Sequence, residues 1–138
     1  MIIFEEFKLK TPEREILFDI TSEISKIVRN SNIKEGVCRV FIPHTTAGIT
    51  INENADPSVK KDISKFFEKL IPQGGRLGYS FRHSEGNSDA HIKCTITGHS
   101  VEILIHKERL MLGTWQGVMF VEYDGPRNRR VFVQVQGE

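Results

Sequence analysis

Histidine, carboxylate and amide side chains crowd into four short segments of this 138-residue chain that core packing does not explain. Residues 43–46 read Pro-His-Thr-Thr and supply His44 and Thr46. Residues 52–56 supply Asn52, Glu53, Asn54 and Asp56, and residues 82–91 supply His83, Glu85, Asn87, Asp89 and His91. The fourth, residues 112–117, carries Trp115 and Gln116, with Glu122, Gly125, Pro126 and Arg127 shortly after. Imidazole is the commonest metal ligand and the proton carrier of neutral pH. His44, His83 and His91 meeting beside Glu53, Glu85 or Asp89 would therefore form a metal centre or an acid–base site. Spacing does not force that meeting: the stretch from His83 to His91 could reach over ~20 Å if extended. No HExxH pair fixes two of them on one helix face. Separate surface or hydrogen-bonded histidines remain the alternative.

The other polar residues divide between structural and chemical roles. Asp56 suits a helix cap and asparagines suit turns, but neither role needs Glu53, which leaves it for acid–base or metal-orienting work. Trp115 fits a core or an interface as readily as a ligand site, and Gln116 could line the same cleft. Arg127 is the best phosphate candidate, because a guanidinium fork matches phosphate oxygens and a turn would display it. Arg129 and Arg130 read as solvated, and Lys60, Lys61, Lys65 and Lys69 as the wet face of a helix. Gly74, Gly75 and Gly78 form no P-loop, since no GK[ST] follows.

These residues must be positioned by regular elements. Near-alternation predicts strands over residues 3–10 and 13–18, and Thr21 can cap a helix running to about residue 30. The run 37–42 reads as a buried strand, and 49–52 as another. Asp56 followed by Pro57 starts a helix whose apolar stripe is Val59, Ile63, Phe66, Phe67 and Leu70. Residues 90–97 are ambiguous: threonine and isoleucine favour a strand, whereas the flanking polar residues and Gly98 suit helix caps. Strands are expected over 101–105, 118–123 and 130–135, the last two joined as an antiparallel hairpin by the turn formers of residues 124–128. The order predicts one compact α+β domain over residues 1–138, a largely antiparallel sheet or sandwich with two main helices.

Composition narrows the classes. A formal net charge of +1 gives no global reason to expect nucleic acid. No apolar run approaches the ~18 residues of a membrane helix, and the amino terminus lacks a secretory pattern. Cys38 and Cys94, with no CxxC spacing, suit free thiols in a reducing cytoplasm.

Taken in order, His44 to Pro57 (HTTAxxTINENADP), His83 to Lys93 (HxEGNxDAHIK), Leu112 to Gly117 (LGTWQG) and Glu122 to Arg127 (ExDGPR) resemble the signature of the YjbQ family. That resemblance implies a compact α+β domain associating as a homotrimer, with motif residues sharing one cleft. It raises the expectation that His44, His83 and His91 converge, as catalytic groups with Glu53 or as ligands of a divalent metal such as zinc or magnesium. Thr46, Asn52, Asn54, Asn87, Trp115, Gln116 and Arg127 would line the cleft and bind a phosphorylated small molecule. The implied activity is a weak, secondary thiamine-phosphate synthase reaction, a transferase chemistry. The dedicated synthases are TIM barrels of about 250 residues, beyond this chain's length. A non-catalytic oligomeric module that binds a phosphate-bearing metabolite or a metal is the other reading.

Overall fold

The structure, a computed structural model, describes residues 1–138. Its elements are β1 (Ile2–Lys10), β2 (Ile16–Asp19), α1 (Thr21–Ser31), β3 (Glu35–Phe41), β4 (Ala47–Glu53), α2 (Pro57–Leu70), β5 (Gly75–Arg76), β6 (Tyr79–Ser80), α3 (Ser88–Thr97), β7 (Ser100–His106), β8 (Arg109–Leu110), β9 (Gln116–Glu122) and β10 (Asn128–Gly137). A five-stranded sheet has the order β1-β10-β3-β7-β8, a three-stranded sheet the order β2-β9-β4, and β5-β6 is a small ribbon. Every strand pair is antiparallel. The α+β class holds, with three helices rather than two principal ones.

The period-two geometry of strands explains the layers. From β10, Val131, Val133 and Val135 join Cys38, Val40, Ile103 and Ile105 in the larger core, with Ile49, Val118 and Phe120 of the three-stranded sheet, Ile20 just before α1, and Ile24 and Val28 within it. The intervening residues of β9, Met119 and Val121, face the other way. They pack with Leu17, Tyr123, and Ala90 and Cys94 of α3. Strand β9 is therefore buried on both faces, which accounts for its nearly unbroken apolar run.

Of the two expected helix starts, the one at α2 holds and the one at α1 is shifted. Asp56 caps α2, its Oδ1 accepting from the Ser58 N–H at 2.9 Å, with Pro57 as the first helical residue. Thr21 is the first residue of α1 rather than its cap. Asp19 holds it instead, Oδ1 accepting from the Thr21 N–H at 3.0 Å and hydroxyl at 2.6 Å.

The expected hairpin does not form. Strand β9 already has β2 and β4 as neighbours and β10 has β1 and β3, so neither has an edge for the other. Residues 124–127 instead cross between the sheets. Their backbone bonds go to the β1–β2 connection: Thr11 N–H to Arg127 O at 2.9 Å and Gly125 N–H to Arg14 O at 3.0 Å. Residues 88–97 resolve as helix α3, whose buried residues Asp89, Ala90, Lys93 and Cys94 follow a helical spacing although two are charged.

Candidate functional site

The register of β4 against β9 separates the motifs. Ala47 pairs with Glu122 at one end of the three-stranded sheet and Glu53 with Gln116 at the other. Six residue steps at ~3.3 Å put those ends roughly 20 Å apart. His44, Thr46, Glu122 and Arg127 thus belong to one pole, while Asn52, Glu53, Asn54, Trp115 and Gln116 belong to the opposite one. One chain does not unite all four motifs in a single cleft.

The first pole rests on a buried ion pair. Even-numbered β9 residues face the larger core, and so do odd-numbered β10 residues, which turns Glu122 and Arg129 toward each other across the two sheets. Glu122 is 0% and Arg129 4% exposed. Glu122 Oε1 accepts from Arg129 Nε at 2.8 Å and from the Thr11 hydroxyl at 2.7 Å. Its Oε2 pairs with Arg129 Nη2 and accepts from the N–H groups of Tyr123 at 3.1 Å and Asp124 at 3.0 Å. Arg129 Nη2 also donates to Thr46 Oγ1 at 2.9 Å. Arg129 is therefore buried, not solvated, and Thr46 is spent on holding it. Only Arg130 of the two is at the surface, paired with Glu6 at 3.0 Å.

Above this pair, His44 Nε2 accepts from the Arg130 N–H at 2.9 Å. Partial burial, with the Arg129 guanidinium second, holds its pKa below the ordinary histidine value and favours a neutral ring. Nδ1 is then the nitrogen left for chemistry. On the α3 side, His83 and His91 meet edge to face with ring centroids 5.5 Å apart, and Glu85 lies 3.9 Å from His83 Nε2. The structure pairs these two histidines and records no contact from either to His44. No group of three or more His, Cys, Asp or Glu side chains is arranged to hold a metal in one chain. The donor set of a single chain therefore does not make a three-ligand zinc centre.

Asn87 and Arg127 do converge, through Asp124. Asp124 Oδ2 accepts from Asn87 Nδ2 at 2.8 Å and Arg127 Nη2 at 2.9 Å, and Arg127 Nε bonds the Asp124 carbonyl at 2.8 Å. Burial works against the Asp124 carboxylate, yet these hydrogen bonds hold its pKa below the usual aspartate value. Arg127 keeps Nη1 uncommitted while its side chain is 49% exposed. Asn87 is 6% exposed and its Oδ1 has no partner.

The second pole is mostly self-satisfied. Asn52 Oδ1 accepts from the Glu53 N–H at 2.7 Å, and Glu53 Oε2 from the Ala55 N–H at 3.3 Å. Asn54 bridges Asp19 at 3.1 Å and Lys60 at 2.9 Å, and Gln116 Oε1 accepts from the Gly113 N–H at 2.8 Å. Trp115 is 64% exposed.

Sequence reasoning missed a further network. Lys93 is 1% exposed and pairs with Glu15 and Asp89, while Arg14 forks onto Asp89 at 3.2 and 3.3 Å. The lysine face of α2 is solvated as expected, with Lys61 and Lys65 exposed and Lys60 half-buried, and these three also line the wall of a cleft of about 800 Å³ over this network. The missed signals were charged residues in otherwise buried registers. Glu122 closes the apolar run from Val118, and Arg129 lies in phase with Val131, Val133 and Val135.

Sheet order, register and the polar strand ends define a small antiparallel α+β sandwich protein with its polar motifs at strand and helix termini. The chain belongs to the UPF0047 protein YjbQ-like family, whose pattern it matches over residues 5–138. It is similar to the UPF0047 protein of Methanocaldococcus jannaschii, with 50% identity covering 96% of this chain and 94% of the relative. YugU of Bacillus subtilis is 42% identical, covering 98% and 100%. A crystal structure from Clostridium acetobutylicum, described as an uncharacterized conserved protein of the yjbq/upf0047 family, superposes with TM-score 0.91 at 48% identity, covering 96% of this chain and 99% of that one. No helix of the chain is long and apolar enough to cross a membrane.

Proposed function

We propose that the chain is an oligomeric, cytoplasmic protein that binds a phosphorylated small molecule at the pole built from His44, His83, Asn87, His91 and Arg127. The observation that carries this reading is Arg127, fixed by two hydrogen bonds to Asp124 yet half exposed with unused donors. An arginine already held in place loses little freedom on binding, and its fork matches two phosphate oxygens. The partnerless Asn87 Oδ1 beside it would accept from the ligand. Weak transferase turnover of the thiamine-phosphate synthase kind would need two ligands together: the nitrogen of a thiazole phosphate forms the new C–N bond to a pyrimidine as its C–O bond to pyrophosphate breaks, and the arginine would absorb the departing charge. Glu53 stands at the far pole, so its part in acid–base work, and that of Trp115 as a ring wall, would have to reach the histidines of another copy. Zinc enters this reading only with ligands from a second copy, and magnesium would come with the phosphate groups of the ligand.

Homotrimerisation is part of the proposal. The outer face of the five-stranded sheet leaves Ile2, Phe4, Phe41 and Leu104 exposed, apolar area that a second copy would cover. Light scattering should report about three times the 15.8 kDa chain mass; a monomer at micromolar concentration would reject it.

The phosphate site is tested by calorimetric titration with thiamine phosphate in Arg127→Ala. Affinity should fall by about tenfold or more, the loss of one charge-assisted contact. The ligand-free stability should stay within about 1 kcal/mol of the parent's, because Arg127 itself is half exposed and Asp124 keeps its bond from Asn87. Lysine at 127 should rescue only partly, having charge without the fork. Undiminished binding by the alanine variant would sink this assignment.

A further inference from the structure

A second cleft opens between α2 and the chain entering β2, beside the histidine pole but not lined by His44, His83, His91 or Arg127; its Arg14 lies 3.9 Å from the Asp124 that holds Arg127. Its floor is the Lys93–Glu15 pair, and Lys60, Lys61 and Lys65 line its α2 wall. These lysines stand three, four and eight residues beyond Pro57, the spacing of one helical face, so that face looks into the cleft. The decisive feature is lopsided bonding at Glu15. Its side chain is only 8% exposed; Oε1 takes both Lys93 and Arg14 Nη1, the latter at 3.2 Å, while the buried Oε2 takes no donor. A buried acceptor left without a donor is destabilising, and a bound donor would relieve it.

We propose that this cleft is a second small-molecule site, selective for a phosphate ester that also carries an amine. The amine donates to Glu15 Oε2, and the phosphate lies against Lys60, Lys61 and Lys65. Neither half suffices. Inorganic phosphate offers Glu15 no ammonium and adds negative charge near a carboxylate, whereas a simple amine makes no use of the lysine wall, where Lys60 bonds only the Asn54 amide and Lys65 only the exposed Glu68. An ester with both groups satisfies the two walls at once, and the linked contacts reinforce each other. The opposed charges of the cleft thus read as a recognition pattern for a compact zwitterion.

Calorimetry on the full chain with O-phosphoethanolamine, inorganic phosphate and ethanolamine tests this. O-Phosphoethanolamine should bind about tenfold more tightly than either fragment. The Lys61→Ala/Lys65→Ala variant, altered only at exposed positions, should fold normally and lose about fivefold or more in affinity for that ester. Glu15→Gln should erase most of the preference for the amine-bearing ester. Should that variant fail to fold, because Lys93 loses a counter-charge, the lysine variant still decides the matter. Arg127→Ala should bind O-phosphoethanolamine as the parent does, which separates this cleft from the histidine pole. No binding by the parent, equal affinity for inorganic phosphate, or unchanged binding in the lysine variant would overturn the proposal. So would a loss confined to Arg127→Ala.

Discussion

Glu122→Gln is expected to lower the unfolding free energy by about 3–5 kcal/mol, the usual cost of leaving one member of a buried ion pair without its counter-charge. The size follows from geometry. Arg129 is 4% exposed, and its acceptors here are Glu122 and the Thr46 hydroxyl and carbonyl. Glutamine turns one acceptor oxygen into a donor facing a guanidinium or the N–H groups of Tyr123 and Asp124. A midpoint drop on the order of 10–20 °C would follow for a domain of this size. Arg129→Gln should cost a similar amount, because the carboxylate is then the stranded charge. The double variant should be more stable than the sum of the single losses by about 2 kcal/mol, since the second change removes the charge that the first left unpaired. Urea unfolding of all four proteins checks this. A single-variant loss below about 1 kcal/mol would mean that the two charges do not depend on each other.

Gly125→Ala is expected to cost about 3 kcal/mol by overpacking, because the crossing between sheets has no room for a methyl group. A Cβ there would lie 2.3 Å from the Glu13 carbonyl oxygen, 2.7 Å from Thr11 Oγ1 and 2.8 Å from Glu122 Cγ. The first is backbone and cannot swing aside. The other two belong to the Thr11–Glu122 hydrogen bond, so the clash reaches the ion pair as well. Gly113→Ala makes the control. Its Cβ would approach only the Gln116 side chain, at 3.3 Å, and should change stability by no more than about 0.5 kcal/mol. Parallel denaturant melts compare the two. A parental midpoint for Gly125→Ala would show that residues 124–127 do not pack against the β1–β2 connection as described.

Some elements could be read directly from the chain because their signals are local. Asp56 followed by Pro57 starts α2 through a cap bond and a fixed backbone angle, and neither depends on the rest of the fold. Helix α3 was not legible in that way. Its buried side carries Asp89 and Lys93 one turn apart, so helical burial exists without helical hydrophobicity, and an apolar-periodicity reading finds nothing to follow. Residues 124–128 mislead for a different reason. Turn formers specify that the backbone bends, but not which sheet receives the next strand.

The polar motifs of the site were visible by residue type, and the family resemblance ordered them along the chain. By itself the sequence determined the antiparallel α+β class, most strand runs, the α2 start and the chemistry-bearing segments, because propensity, period and capping act over a few residues. Tertiary structure alone decided that His83 meets His91, that β4 separates Glu53 from His44, and that α2's lysines face a cleft. It also decided that Arg129 turns inward to Glu122. These are facts of strand register and sheet order, contacts between residues dozens of positions apart, where burial and charge pairing prevail over local preference.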